Sequence, residues 1–493
     1  MNKYVLVIDE GTTGTRALIF NQKFAVVGQA YEEFTQFTPS ENMVEHDAEE
    51  IYQKSITMCN RALESAKLSA SDIECIGITN QRNTGLVWNK TTGKPLYHAL
   101  VWQDSRMGEA SNAIKASSFF NELLAVSGKN ITPHCDVLIL KWLLEHVEGI
   151  QEELDRNNVL FGTIDTWLVW KLTEGRTHAT SFSNASSSGC MDVKAGKWYK
   201  ALFDRVGVPM ALFPEIKSES ADYGYTEVLG SRIPITGVIA DQQSALFAQG
   251  CLDPGSVKCT NGTGSFMDIN IGSTYTVPSG GVDTLIAWNL GGKNTYAVEG
   301  FAAVTGSAVQ WLRDGLKIIH CSAEVESLAS SVPDTNGVYF VPGLIGLITP
   351  YQDPFARGLL IGITRGTTEA HIARATLEAI AFRIKDILNI VEDNGIRISE
   401  IKIDGGASEN NLLAQIIADY CDATVIRPHS VEATSLGAAL MASLYLGHTN
   451  LDEVKDMMSA DATFSPRMDA QQRDETYGIW QEAVGRSLNW LKH

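Results

Sequence analysis

Basic residues are in short supply. Lys and Arg number 39 against 58 Asp and Glu, a formal net charge of −19 over 493 residues. A partner gripped through many phosphates needs a basic surface, so nucleic acid is excluded as the main ligand. A single phosphorylated molecule is not excluded, because backbone amides and a metal ion can hold it. No apolar run reaches about 18 residues, so no segment is expected to span a membrane. The eight cysteines are scattered, with no CxxC pair. Neither a disulfide framework nor a cysteine metal cluster is expected, and a reducing cytoplasm is the expected compartment. The short phosphate signatures are missing too: there is neither a GxxxxGK[ST] P-loop nor a GxGxxG dinucleotide turn.

What is present is an α/β pattern that runs twice. The start, "MNKYVLVIDEGTTG", is too short and too acidic for a signal peptide and reads as a buried first strand. Strand signals follow at 15–20 and 24–31, a helix at 48–66, a strand from Glu74 and another ending at Trp102. "RIPITGVIADQQSALFAQG" reads as a buried strand, a polar junction and a helix. The pattern then restarts after "QGCLDPGS" with "GSVKCTNGTGSFMDINIG", again strand, glycine turn, strand. A long helix at 372–393, with Leu377, Ile380, Ile384, Ile387, Leu388 and Val391 on one face, leads to the strand "EIKIDGG". The expectation is two α/β domains of similar build, 1–249 and 250–493, facing one another.

Three glycine turns could cradle phosphate. Gly11-Thr12-Thr13-Gly14 follows Asp9 at a strand end, Gly262-Thr263-Gly264 links two strands, and Asp404-Gly405-Gly406 precedes a helix with Ser408 as the expected N-cap. Each taken alone fits an ordinary turn. One in each half, plus the late Gly-Gly turn, points to a shared phosphate ligand. Asp241 lies where open α/β sheets place ligand chemistry, at a strand-to-helix junction. It fits an N-cap or a general base for phosphoryl transfer. In "ECIGITNQRNTGLVWN" six polar residues, 79–84, separate two strand signals. That is too many for a two-residue hairpin, and the set includes an arginine and three amides suited to an oxygen-rich ligand.

Taken in order, "DEGTTGTRALIF", "GITNQRNTGLVWNKTTGKPLYHALVWQDSR", "FGTIDTWLVWKLTEG", "GVIADQQSALFAQG", "NGTGSFM", "GSAVQWLRD", "PYQDPFARG", "IDGGASENNLL" and "EATSLGAALMA" resemble the FGGY carbohydrate kinases, those acting on glycerol most of all. The resemblance runs from about residue 4 to about 450. It implies two actin-like (ribonuclease H-like) domains around a cleft, and ATP with Mg²⁺ as cofactors. It also implies a polyol or sugar acceptor and a homo-oligomer, dimer or tetramer. By position, Thr12, Thr13, Gly14 and Arg16 match the first phosphate turn, and Asp9 the carboxylate near Mg²⁺. Thr263, Gly306, Gln310, Gly406 and Asn410 match nucleotide contacts. Asp241 matches the general base and Gln242 its substrate-binding neighbour, while Arg82 matches a hydroxyl-binding donor and Trp102 and Phe266 the apolar walls of the acceptor pocket.

The match breaks inside that pocket. Where the glycerol-acting members read Asn-Gln-Arg-Glu, this chain reads Asn80-Gln81-Arg82-Asn83, and a pocket tyrosine aligns with His134. A family lysine is replaced by Ile139, and an aromatic residue by Gln352. An amide both donates and accepts where a carboxylate only accepts. The departures at Asn83 and His134 raise the expectation of an acceptor longer than glycerol, or a ketose. The segment "EVLGSRIPI" is shorter than the loop tied to sugar-bisphosphate inhibition in some members, so that regulation is not expected. A non-catalytic nucleotide or sugar sensor is the reading of another class; the intact Asp9, Asp241 and glycine turns speak against it.

Overall fold

The opening apolar run forms strand β1 (Tyr4–Glu10), and the first glycine turn reverses it into β2 (Gly14–Phe20) and then β3 (Val26–Glu33). Gly11 N donates to Gly14 O at 3.1 Å, closing the turn. A Cβ at Gly14 would stand 2.7 Å from Glu32 O, so only glycine lets β3 pack there. Helix α1 (Ala48–Ala66) starts on an Asp47 cap and covers β2 and β3. β4 (Ile73–Asn80) and β6 (Ile233–Ala240) are almost wholly buried, as near-continuous apolar runs require in parallel strands. The sheet order is β3-β2-β1-β4-β6 with a short edge strand, Tyr225–Thr226, beyond β6. β5 (Gly85–Asn89) belongs to a smaller sheet outside it.

This is a computed structural model, and it describes residues 3–429, 432–457 and 459–491. Its second large sheet repeats the first. β7 (Ser256–Asn261), β8 (Ser265–Gly272), β9 (Asp283–Leu290), β10 (Lys293–Ala302), β11 (Glu400–Asp404), β12 (Thr424–Pro428) and β13 (Ala460–Phe464) line up as β9-β10-β8-β7-β11-β12-β13. Within it, β10-β8-β7-β11-β12 reproduces β3-β2-β1-β4-β6: an antiparallel meander followed by two parallel strands. The two-domain α/β reading of the sequence holds: β13 stands beyond β12 as Tyr225–Thr226 stands beyond β6, both antiparallel, and the second half adds β9 at its other edge.

The halves exchange a helix. After β12 the chain enters Ala433–Tyr445, which packs on β4, β6 and β1 of the first sheet. Gly77 of β4 and Gly237 of β6 make room for it: a Cβ would lie 2.5 Å from Ala438 O at one and 2.5 Å from Ala442 N at the other. No helix among the described residues is long and apolar enough to cross a membrane.

Three local expectations change. β4 continues through Thr79 and Asn80, which pair with Asp9 and Glu10 of β1, so the polar loop is four residues, 81–84. Sheet bonding carries two polar residues that hydropathy had assigned to the loop. The strand expected up to Trp102 shortens to Ala99–Leu100. Ser408 is not an N-cap: its hydroxyl donates to Asp404 O at 2.6 Å, and Asn410 caps the next helix by accepting from Leu413 N at 2.8 Å.

Candidate active site

Between the two sheets lies a row of charges. Cross-strand partners on neighbouring strands put their side chains on one face. The register Lys402↔Lys258↔Asp268↔Glu299↔Asp283 therefore runs a line of five ionisable side chains across β11, β7, β8, β10 and β9. Side chains facing water would need no further partner, but these are mostly buried. The first half supplies what they lack. Lys402 Nζ donates to Gln249 O at 2.6 Å and Lys258 Nζ to Gln242 Oε1 at 2.7 Å. Arg82 Nη1 stands 2.7 Å from Glu299 Oε2, and the Asn130 backbone and side-chain amides donate to Asp283 Oδ1 at 2.8 and 2.9 Å. Within the row, Lys258 pairs with Asp268 at 3.0 Å.

Arg82 and Asn83 leave the turn after β4 side by side. The turn is pinned because Gln81 N donates to Glu10 O at 2.7 Å and Thr84 Oγ1 to Gln81 Oε1 at 3.0 Å. Arg82 Nε reaches Asp241 Oδ1 at 3.3 Å while Nη1 faces Glu299. Nη1 and Glu299 Oε2 are close but out of line, and each lacks a well-aligned hydrogen bond. Burial alone would raise the Glu299 carboxyl; Arg82 and then Lys129 outweigh it and hold it below the usual range. Asn83 has φ +57°, the left-handed region that asparagine tolerates better than most residues. With its amide oriented as its neighbours require, Nδ2 donates to Ser187 O at 2.7 Å and Oδ1 accepts from Lys129 Nζ at 3.2 Å.

Asp241 opens helix α-stretch Asp241–Ala248, and its own Oδ1 accepts from Gln242 N at 2.7 Å. Burial raises its carboxyl above the usual range against the pull of Arg82. Asp9, at the end of β1, takes a hydrogen bond from Ser435. Burial, opposed by Ser435 and Arg16, lifts its carboxyl to about 6, with Asp241 adding to the rise. Arg16 pairs with Glu432, so the first glycine turn is tied to the exchanged helix at two points.

Trp102 and Phe266 are 40% and 39% exposed, unusual for large apolar side chains and apt for walls a ligand would cover. Trp102 Nε1 donates to Thr12 Oγ1 at 3.0 Å. Phe266 shares its face of β8 with Asp268, and so stands one step from the charge row. His134 lies beside the Trp102 carbonyl; burial, with Lys129 and Arg82 nearby, pushes its imidazole down to about 3, so it is neutral. Ile139 is fully buried among apolar neighbours, and Gln352 lies over Gly281, so neither reaches this group.

The expected nucleotide residues gather elsewhere, around one cavity of about 490 Å³. Thr263, Gly306, Gln310, Gly406 and Asn410 all line it. Gly306 is obligatory, since a Cβ would come within 2.5 Å of Gly262 O. In the late turn it is Gly405, with φ +84° and Asn261 O 2.5 Å from a Cβ, that the backbone demands, rather than Gly406. A second cavity of about 800 Å³ is lined by Gln242, Lys258, Asp404, Gly405 and Glu432, so it connects the late turn with the residue after Asp241. Thr12, Thr13 and Gly14 line neither cavity and border the site from the first sheet.

Sequence reasoning missed Lys129, Lys258, Asp268 and Glu299. Three of them carried a signal: "SVKCTN", "SFMDINI" and "YAVEGFA" each hold one charge in an otherwise apolar strand, a position that is expensive without a partner.

Comparison with known proteins agrees along the whole chain. The N-terminal domain model of the FGGY family of carbohydrate kinases matches residues 4–248 and the C-terminal domain model residues 257–446. Glycerol kinase 2 of Sulfolobus acidocaldarius is 46% identical over 492 residues, covering 99% of each chain. Glycerol kinase 2 of Thermotoga maritima is 44% identical over 494 residues, covering 99% of this chain and 100% of its own. The crystal structure of Plasmodium falciparum glycerol kinase with ADP superposes with a TM-score of 0.94 at 33% identity, covering 99% of this chain and 98% of that one.

Proposed function

The chain belongs to the FGGY family of carbohydrate kinases and is an ATP-dependent, glycerol kinase-like phosphotransferase with an alcohol acceptor. From that premise we propose that it moves the γ-phosphate of ATP to a terminal hydroxyl of a small polyol, with Asp241 as the general base. Residues 1–249 supply most of the acceptor contacts and the first phosphate turn, and residues 250–493 supply most of the nucleotide contacts and the Phe266 wall. The observation that carries the reading is Asp241 itself: a half-buried carboxylate raised above its usual range, paired to Arg82 at 3.3 Å, next to the residue that lines the larger cavity. Arg82 fixes the carboxylate and offers donors to acceptor hydroxyls. Trp102 and Phe266 cover the carbon chain, and His134 and Gln242 complete the wall.

Asp241 takes the hydroxyl proton as the acceptor oxygen bonds to the γ-phosphorus and the bond from phosphorus to the β–γ bridging oxygen breaks, releasing ADP. The glycine turns with Thr12, Thr13, Gly14 and Arg16 on one side, and Thr263, Gly306, Gln310, Gly406 and Asn410 on the other, bind and orient the nucleotide. Mg²⁺ fits this site. Among the described residues no three His, Cys, Asp or Glu are grouped to cage a metal, and Mg²⁺ bound with nucleotide needs only one or two carboxylates. Asp9, desolvated and close enough to Asp241 to feel its charge, would hold it. Bound there, Mg²⁺ supplies charge neutralisation on the phosphates. Closure of the cleft excludes water from the transferring group.

The relatives' names point to glycerol as acceptor. The second reading, a longer polyol or a ketose, is favoured by Asn83 and the neutral His134 in place of groups that glycerol-acting members carry. Asp241→Asn tests the assignment. Turnover falls by about 10²–10⁴-fold with nucleotide affinity retained if Asp241 is the base; turnover within a few fold of the parent would overturn it.

A further inference from the structure

Lys129 follows helix Phe120–Ser127 and is only 6% exposed, yet its ammonium has a single acceptor within reach, the Asn83 amide at 3.2 Å. Among the described residues no carboxylate lies within 4.0 Å of it. Its stem runs over Gly189, where a Cβ would meet Lys129 Cδ at 3.8 Å and Cys135 Sγ at 3.5 Å. Of the acids that feel its charge, Glu299 is held by Arg82 and Asp283 by Asn130, while Asp136 is buried with its Oδ1 unpartnered but lies beyond 4.0 Å of the ammonium, its carboxyl raised well above the usual range by burial. Two N–H donors of a buried cation are therefore left without protein acceptors. They sit among Asn83, His134 and Arg82, which are assigned to the acceptor, and beside Glu299, the partner of Arg82.

We propose that Lys129 is the specificity-determining residue of the acceptor site, and that it donates to a carbonyl oxygen in the acceptor chain. The inference rests on the kinase reading and narrows its substrate class. A ketone oxygen accepts without donating, which is what an ammonium needs. An alditol hydroxyl can also accept, but its own proton then needs a further acceptor in a crowded, buried corner. A carboxylate is disfavoured by the local charge: Asp241, Asp268, Asp283 and Glu299 outnumber Arg82, Lys129 and Lys258, and Glu299 is the member that feels all three cations. Asn83 is the complement of this arrangement. A glutamate in its place would pair with Lys129 and remove the demand for a ligand oxygen. Sites built around specific buried hydrogen bonds discriminate strongly against ligands that leave them unmade.

The experiment is an ADP-release assay on the full chain with acceptors matched in length: glycerol, dihydroxyacetone and glycerate; erythritol, erythrulose and erythronate. The parent is expected to show kcat/KM at least about 10-fold higher for the ketone than for the alditol of equal length. Lys129→Met should bring that ratio toward one, Lys129→Arg should keep part of it, and Asn83→Glu should also collapse it. A mere structural counter-ion would lower both acceptors in parallel and leave the ratio in place, which overturns the proposal. Preference of the parent for the alditol or for the acid overturns it as well, and needs no variant to fold. If the parent binds ATP but phosphorylates none of the six, the polyol-kinase reading fails first and this inference with it.

Discussion

Removing Lys258 from the charge row should be among the most damaging single substitutions in the chain. Its side chain is 2% exposed and that of Asp268 5%, and they pair at 3.0 Å. In Lys258→Met, Asp268 is left buried next to Glu299 in the row, with Asp283 beyond. Breaking a buried pair by deleting one partner costs about 3–5 kcal/mol, because the survivor keeps its desolvation penalty without compensation. For domains of this size that is a fall in apparent Tm of about 6–20 °C. The sign of the pH dependence follows. Burial already raises the Asp268 carboxyl, and losing Lys258 raises it further. The folded variant then binds a proton that the unfolded chain does not hold, so its deficit is small near the unfolded pKa and grows as pH rises toward the folded one. Melting curves of parent and variant at pH 5, 6.5 and 8 would read this. Adding Asp268→Leu to Lys258→Met should recover most of the loss, since replacing a buried pair by apolar groups is often neutral. A single-variant deficit under about 1 kcal/mol, or one that shrinks with rising pH, would refute the reasoning.

Other consequences follow from the same geometry. Gly77→Ala places a Cβ 2.5 Å from Ala438 O, so the exchanged helix must lift; a loss of about 1–3 kcal/mol in thermal denaturation is expected, with KM for ATP rising because that helix carries Ser435 to Asp9. His134 sits near pKa 3 and stays neutral from pH 5.5 to 8. His134→Phe should therefore leave the shape of the pH–rate profile between those limits unchanged even if the rate falls, and a profile that loses a limb near neutrality would contradict this.

The two-sheet plan was legible because it rests on local signals: apolar runs for the central strands, glycine punctuation at the turns, a strong amphipathic face on Glu369–Glu392. Gly306 and Asn410 were named only through the family resemblance; the backbone reasons for them, a close approach to Gly262 O and a helix cap that had been expected at Ser408, became visible in the structure. Asn83 was only half readable. Its departure from the family pattern was visible, but not that its backbone is left-handed, nor that Lys129, 46 positions on, would meet its amide. Lys258, Asp268 and Glu299 were missed because their meaning lies in register, and Lys129 because it lies in a connection after a helix with no pattern around it. One charge in a strand looks like noise until its cross-strand neighbours and the opposing half are known. Hydropathy also misplaced the end of β4, because main-chain pairing to β1 does not depend on side-chain polarity.

The row from Lys402 to Asp283 also bears on how this molecule could be rebuilt. Its partners, Gln249, Gln242, Arg82 and Asn130, all belong to the other half of the chain. The two halves are thus cut like a key and its lock. A chimera that joined one half to the opposite half of a relative would inherit the sheets intact, and would still fail to close unless those four residues travelled with the row they answer.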